Sequence, residues 1–337
     1  MILFYIMIIL NNITGFSCYV ISILYILQCI PEFINRLKTF TCNTNTLSYR
    51  IYKLYSNEYK DINFINVLKH IALLDERWRS YDHQDSHEFL YFLLYQIQQE
   101  SHNIFNGIIN TINNVDTNCC IININNIISS LNETSYYKFD YSPIIDIFNG
   151  SMQYIKKCTF CNTKHYKYEK FISIDLEINN IHDTELTLYD CLDNFFKKYQ
   201  LDKDNNYYCD FCGVHTNAYC KNYICKLPEI LIIQLKRFKY ESNTNNFYKI
   251  NTYITYPEIL NLKKYITNNI LINSCEYILK GINIHLSNNN INYGHYISII
   301  KSDNEWYLCN DNNVNSISEK KSIFKNNPYL LFYSLNK

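Results

Sequence analysis

Residues 158–178 read CTFCNTKHYKYEKFISIDLEI. Two thiols at C-x-x-C spacing, Cys158 and Cys161, can reach one metal ion from a tight turn. The end of the stretch then takes a period of two, which puts Ile172, Ile174, Leu176 and Ile178 on one face of a strand. A second pair, Cys209 and Cys212, stands before another run dense in β-branched residues, Ile230 to Phe238. Between them Leu186 to Tyr199 reads as a short helix. The two pairs are therefore expected at strand ends, where four thiolates make a closed, tetrahedral, structural zinc site with ligands Cys158, Cys161, Cys209 and Cys212. Cys220 and Cys225 are near enough in sequence to substitute. Further strands are predicted at Leu279–His285, Tyr296–Ile300, Trp306–Cys309 and Tyr329–Tyr333.

Toward the N-terminus the pattern becomes helical. Ser17 to Cys29 is apolar nearly all round, which predicts a buried helix, and Pro31 follows where the helix should have stopped. Cys18 opens that helix, so its sulfur faces the positive end of the dipole and unpaired amides, a setting that stabilises a thiolate. A lone cysteine in an apolar run is more often an inert buried thiol, so Cys18 needs a base from elsewhere. His295, preceded by Gly294 and opening a strand, is the candidate. Asn310 and Asp311, after Trp306-Tyr307-Leu308-Cys309, can offer the imidazole an amide or carboxylate acceptor. A second helix is expected over Asp85–Gln98, with Asp85 and Glu88 in its first turn, where negative charge suits the dipole. From Ser101 to Glu133 the Asn- and Ile-rich sequence reads as an inserted low-complexity loop.

Composition excludes several classes. The 337 residues carry 31 Lys plus Arg against 31 Asp plus Glu, so nothing favours a nucleic acid held by counterion release. Hydrophobic residues at 47% against 18% charged suffice for a core. Fourteen cysteines are too few in a chain this long to demand a disulfide scaffold, and the paired spacing points to a reducing compartment, cytoplasm or nucleus. Met1–Leu10 is apolar but lacks a positive leading region, and neither it nor Tyr19–Ile30 reaches the roughly 18 residues of a membrane span. A soluble protein with no membrane partner is expected.

Taken in order, these motifs resemble the ubiquitin-specific proteases, cysteine hydrolases that cleave after the C-terminal glycine of ubiquitin. Gly15-Phe16-Ser17-Cys18-Tyr19-Val20-Ile21-Ser22 resembles the family's Cys box, and Gln84-Asp85-Ser86-His87-Glu88-Phe89-Leu90 its Q-D-A-H-E-F-L segment. The cysteine pairs resemble its zinc-binding pairs, and Leu227-Pro228 through Leu235-Lys236-Arg237-Phe238 its L-K-R-F strand. Tyr293-Gly294-His295-Tyr296 is similar to the His box, and Trp306-Tyr307 to Asn310-Asp311 and Tyr329–Tyr333 to the closing motifs. The resemblance implies an α+β, papain-like catalytic domain over 1–337. A helical thumb would span 1–148 with an insert at 101–133, zinc-tipped β fingers 149–235, and a β palm 236–337.

It implies a deubiquitinase with ubiquitin and ubiquitinated proteins as partners. Cys18 would be the nucleophile, His295 the base, and Asn310 or Asp311 its orienting partner. Asp85 and Glu88 would hold the arginines of ubiquitin's tail. The sequence departs from the family at Ile13, where an asparagine usually stands as an oxyanion donor; Asn12 is the nearest replacement. Tyr25 stands where the box has glutamine, and Phe16 where it has asparagine. Ile13 leaves open a catalytically impaired ubiquitin-binding scaffold, and the motifs also fit a protease for another ubiquitin-like modifier.

Overall fold

The structure, a computed structural model, describes residues 8–39, 44–56, 60–79, 82–112, 142, 144–179, 185–201, 205, 207–241, 245–267, 274–287 and 294–337. The chain divides into two compact units, Met1–Ile147 and Phe148–Lys337.

The first unit is helical, with α1 (Cys18–Gln28), α2 (Pro31–Thr39), α3 (Leu47–Tyr55), α4 (Lys60–Leu74) and α5 (Ser86–Ile112). Every residue of α1 from Cys18 to Leu27 is buried, as a helix apolar on all sides must be. It packs on α2 and α5, and the Tyr55 hydroxyl of α3 donates to the Leu24 carbonyl at 2.9 Å. Pro31 opens α2, at the first helical position, where a missing N–H costs nothing. The expected boundary at Ser101 needs correction, because α5 continues through it to Ile112. Ile104, Ile108 and Ile112 keep the helical spacing that the Asn-rich composition hides. Residues 113–133 of the expected insert lie outside the described residues. Glu100, two residues past the expected helix end at Gln98, accepts the Leu47 and Ser48 N–H groups at 2.6 and 2.9 Å and so caps α3.

The second unit begins, among the described residues, with β1 (Gly150–Cys158), β2 (Lys164–Phe171), β3 (Ser173–Glu177), β4 (Leu186–Thr187), β5 (Tyr199–Leu201), β6 (Tyr207–Cys209), β7 (Val214–Thr216) and β8 (Ala218–Lys226). It continues through β9 (Ile230–Lys236), β10 (Phe238–Glu241), β11 (Asn246–Lys249), β12 (Ile254–Thr255) and β13 (Ile259–Asn261). The last five strands are β14 (Glu276–Leu286), β15 (His295–Ser302), β16 (Glu305–Asn310), β17 (Asn313–Ser316) and β18 (Leu330–Leu335). One four-stranded sheet has the order β2-β1-β8-β5, and a larger one runs β17-β16-β15-β14-β18-β9-β3, with β13 beside β14. The strand expected from Phe171 is split: Phe171 ends β2 in the small sheet and Ser173 begins β3 in the large one. Ile174, Leu176 and Ile178 face the core as the alternation predicted, while Ile172 sits half-buried at the crossover. The short helix is Leu188–Phe195, closed at its start by a capping box between Thr187 and Asp190.

Arg237, just after β9, is 1% exposed, and among the described residues no carboxylate pairs with it. Its Nε donates to the Pro328 carbonyl at 2.6 Å, and Nη1 to the carbonyls of Ile250 and Thr252 at 2.9 and 3.0 Å. Burial holds its pKa down at about 10, still charged at neutral pH, so one fork ties three chain segments together. Arg237→Met would strand these acceptors and should cost about 3 kcal/mol, read from the denaturant midpoint. Arg237→Lys should recover only part, because a single ammonium lacks the fork; an unchanged midpoint for Arg237→Met would contradict this role.

Candidate functional site

The turn before α1 is built from its own polar groups. Asn12 Oδ1 accepts from the Ser17 N–H at 3.1 Å and from the Ser17 hydroxyl at 2.8 Å. The Ile13 N–H donates to the Asn11 carbonyl at 2.9 Å, and Gly15 turns the chain with φ +76°. The Ser17 carbonyl then receives the Val20 and Ile21 N–H groups, both at 3.0 Å. The N–H groups of Cys18 and Tyr19 are left, among the described residues, without an acceptor. Cys18 thus stands where a helix offers unpaired donors and its positive end. Tyr19 packs against Trp78 and Phe89, and burial, with Cys18 as the second cause, pushes its hydroxyl up to about 12.

In the second unit a tight turn sets the geometry. Asp303 and Asn304, with φ +48° and +66°, join β15 to β16, the left-handed pair that a two-residue hairpin prefers. They fix Ser302 opposite Glu305 and Ser298 opposite Cys309. Continuing that register puts Asn310 one diagonal step from His295, on the same face. His295 Nε2 lies 2.6 Å from Asn310 Oδ1. The amide oxygen can only accept, so Nε2 carries the proton and Nδ1 is the basic nitrogen. Asp311 sits in the next turn at φ +48°, its carboxylate 3.9 Å from the same Nε2. Tyr293 of the His box lies outside the described residues.

Asp85 caps α5, its Oδ1 accepting the His87 and Glu88 N–H groups at 2.7 and 3.1 Å. Glu88 is exposed on the first turn, and its carboxylate has no ion pair among the described residues. The nearby guanidinium of Arg77 is taken by Asp75 at 2.7 Å.

Cys158, at the end of β1, and Cys161 meet Cys209, at the end of β6, and Cys212, with the four sulfurs all within 4.8 Å of one another. Two of the pairs are 3.7 and 3.9 Å apart. Metal–thiolate bonds of about 2.3 Å in a tetrahedron require sulfurs about 3.8 Å apart, so the cluster stands close to the spacing that a bound metal ion would set. Left-handed residues, Asn162 and Gly213, follow each pair and turn the chain away. The Thr216 hydroxyl, 3.2 Å from Cys158, holds that thiol down at about 6 and favours the ligating thiolate. Cys225 instead donates to the Ser151 carbonyl, and Cys220 is buried in β8 outside the cluster.

Sequence reasoning passed over His285. Its imidazole packs against Phe238 and Tyr296, with ring centroids 5.2 and 4.6 Å apart. A Cβ built on Gly294 would lie 1.9 Å from its Nε2. Only glycine leaves room for this ring beside the residue that precedes His295. The available signal was Gly294 itself.

Three comparisons bear on this arrangement. A profile described as "Ubiquitin carboxyl-terminal hydrolase" matches residues 10–333. Ubiquitin carboxyl-terminal hydrolase 8 of Saccharomyces cerevisiae is 28% identical over 96% of this chain and 69% of its own length. Ubiquitin carboxyl-terminal hydrolase 3 of Homo sapiens is 28% identical over 76% of this chain, which spans about half of that relative, 49%. Among solved structures, the SAGA Ubp8/Sgf11/Sus1/Sgf73 DUB module bound to ubiquitin aldehyde contains a chain with a TM-score of 0.76 and 26% identity. The match covers 100% of this chain and 72% of that one.

The close approach of His285 to Gly294 makes a checkable pair. Gly294→Ala should lower the thermal midpoint, and His285→Ala in the same chain should recover most of the loss, with a coupling of about 1–3 kcal/mol. Strictly additive effects in the four-protein cycle would contradict the packing described.

Proposed function

The chain belongs to the ubiquitin carboxyl-terminal hydrolase family and is a cysteine-type deubiquitinase, and we propose that Cys18 is its nucleophile, His295 its base and Asn310 the orienting group. The observation that carries this assignment is the 2.6 Å contact between His295 Nε2 and Asn310 Oδ1, which gives the imidazole the tautomer a thiol hydrolase needs. His295 Nδ1 takes the Cys18 proton, and the thiolate attacks the carbonyl carbon of ubiquitin's terminal glycine. The resulting oxyanion is met by the unpaired N–H groups of Cys18 and Tyr19. The imidazolium returns its proton to the leaving amine, and water hydrolyses the thioester. Asp311, at 3.9 Å, adds negative charge that favours the imidazolium.

Ubiquitin is the partner that the solved relative holds, as its aldehyde. Asp85 and Glu88 are suited to the arginines of its tail through bidentate carboxylate contacts. The cysteine cluster is read as a structural zinc site, since four thiolates fill a tetrahedron and leave no open position. Reduced thiols in that number suit the cytoplasm or nucleus.

The oxyanion site is read as backbone-based. Asn12 accepts from Ser17 through its amide oxygen, so a donor role would rest on its Nδ2 group, and Ile13 spends its N–H on Asn11. An Ile13→Asn chain would gain a side-chain donor and should turn over a ubiquitin ester faster, up to roughly 100-fold, with little change in KM. Cys18→Ala and His295→Ala should abolish turnover, while Asn310→Ala should reduce it and leave a remnant through Asp311. Turnover that survives Cys18→Ala would remove the nucleophile assignment. Metal analysis should return one zinc per chain, falling on Cys209→Ser; a metal-free protein with freely titrating cluster thiols would end the zinc reading.

A further inference from the structure

The helical unit holds a cavity of about 430 Å3 beside the turn that leads to Cys18, a volume within the range of ligand-binding pockets. Phe16, Ile65, Leu68, Ala72 and Trp78 make most of its wall. The charged groups that line it, among the described residues, are Lys69 and Arg79, and no carboxylate does. Arg79 has only a loose contact, 3.5 Å, with Glu76, which is 89% exposed. Lys69 is exposed.

The helix that supplies this wall is apolar on two faces. Phe64, Val67 and Ile71 of α4 are buried in the unit, whereas Ile62 and Leu73 are 60% and 74% exposed. Ile62 and Leu73 flank in sequence the stretch of α4 that lines the cavity, and exposed apolar side chains rimmed by polar groups mark a surface that binds something. Its charge sets it apart from the acidic pair on α5: the arginines expected in ubiquitin's tail suit Asp85 and Glu88 and are repelled by Lys69 and Arg79.

We propose that this cavity docks an acidic, apolar peptide segment of a partner protein, seating one bulky apolar side chain against Trp78 and Leu68 with flanking carboxylates on Lys69 and Arg79. Because Phe16 and Ser17 also line the cavity, an occupant touches the turn that positions Cys18 and adjusts its reactivity. Charge complementarity selects this occupant over a second copy of the chain or a neutral ligand.

The test uses the full chain and fluorescein-labelled, capped hexapeptides Glu-Asp-Xaa-Xaa-Glu-Asp, with Leu-Leu, Leu-Phe or Phe-Leu at the centre. Fluorescence anisotropy should show saturable binding of at least one, weakened tenfold or more when Glu and Asp become Gln and Asn. Lys69→Glu should weaken it tenfold or more, and Ala72→Trp, which fills the cavity, should abolish it. Both variants should keep the wild-type circular dichroism, so that lost binding is not lost folding. Bound peptide should also change the rate at which iodoacetamide alkylates Cys18, read by mass spectrometry. The binding readout stands whether or not the chain cleaves ubiquitin. Equal affinity for the neutral peptides, indifference to Ala72→Trp, or no binding up to millimolar peptide would overturn the proposal. A dimer in sedimentation that Ala72→Trp dissociates would likewise overturn it, in favour of a second copy.

Discussion

A turn of two residues governs the chemistry of the second unit. Asp303 and Asn304 can both occupy left-handed backbone, and that conformation fixes the register between β15 and β16. A slip of one residue would send every side chain of one strand to the opposite face. His295 would then lose Asn310, and with it the hydrogen bond that decides which imidazole nitrogen is basic. The adjoining elements serve the same constraint. His285 packs in the space that Gly294 leaves beside the start of β15, and the second left-handed turn, at Asp311, sets a carboxylate within 3.9 Å of the ring.

The helical unit solves a complementary problem with backbone alone. An oxyanion needs donors already in place, and in the proposed mechanism α1 supplies two, since the Ser17 carbonyl is taken by Val20 and Ile21 while nothing described accepts from Cys18 and Tyr19. Asn12 braces this arrangement by binding Ser17 through both its N–H and its hydroxyl. The departure at Ile13 therefore removes a side-chain donor and leaves the helix terminus intact. Asn12, read from sequence as a replacement donor, also braces the turn through its oxygen, and a donor role would fall to its Nδ2 amide.

Features set by local pattern were legible in the sequence. The start of α1 at Cys18, the strands of the large sheet and the placement of both cysteine pairs at strand ends follow from periodicity and spacing within a few residues. Spacing names Cys158, Cys161, Cys209 and Cys212 but leaves Cys220 and Cys225 as substitutes; the strand pairing decides against them, since it sets Cys220 opposite Lys156, two residues along from the Cys158–Ala218 pair, and Cys225 donates to the Ser151 carbonyl. The acceptor for His295 stayed open between Asn310 and Asp311 because hairpin register is a property of two strands and their turn. The length of α5 was misread because abundant Asn obscured a helical spacing of Ile. Arg237 reads as one residue of a motif, and its role appears only when three carbonyls from two distant segments converge on it.

Of fourteen cysteines, Cys18 alone is proposed to carry the acyl group. Acid quenching of the chain milliseconds after mixing with a ubiquitin C-terminal ester, followed by peptide mass spectrometry, tests it directly. The expected result is a transient ubiquitin thioester confined to the peptide containing Cys18, appearing before free ubiquitin and decaying as it forms. An adduct on any other cysteine, or turnover with no acyl intermediate at any time, would contradict it.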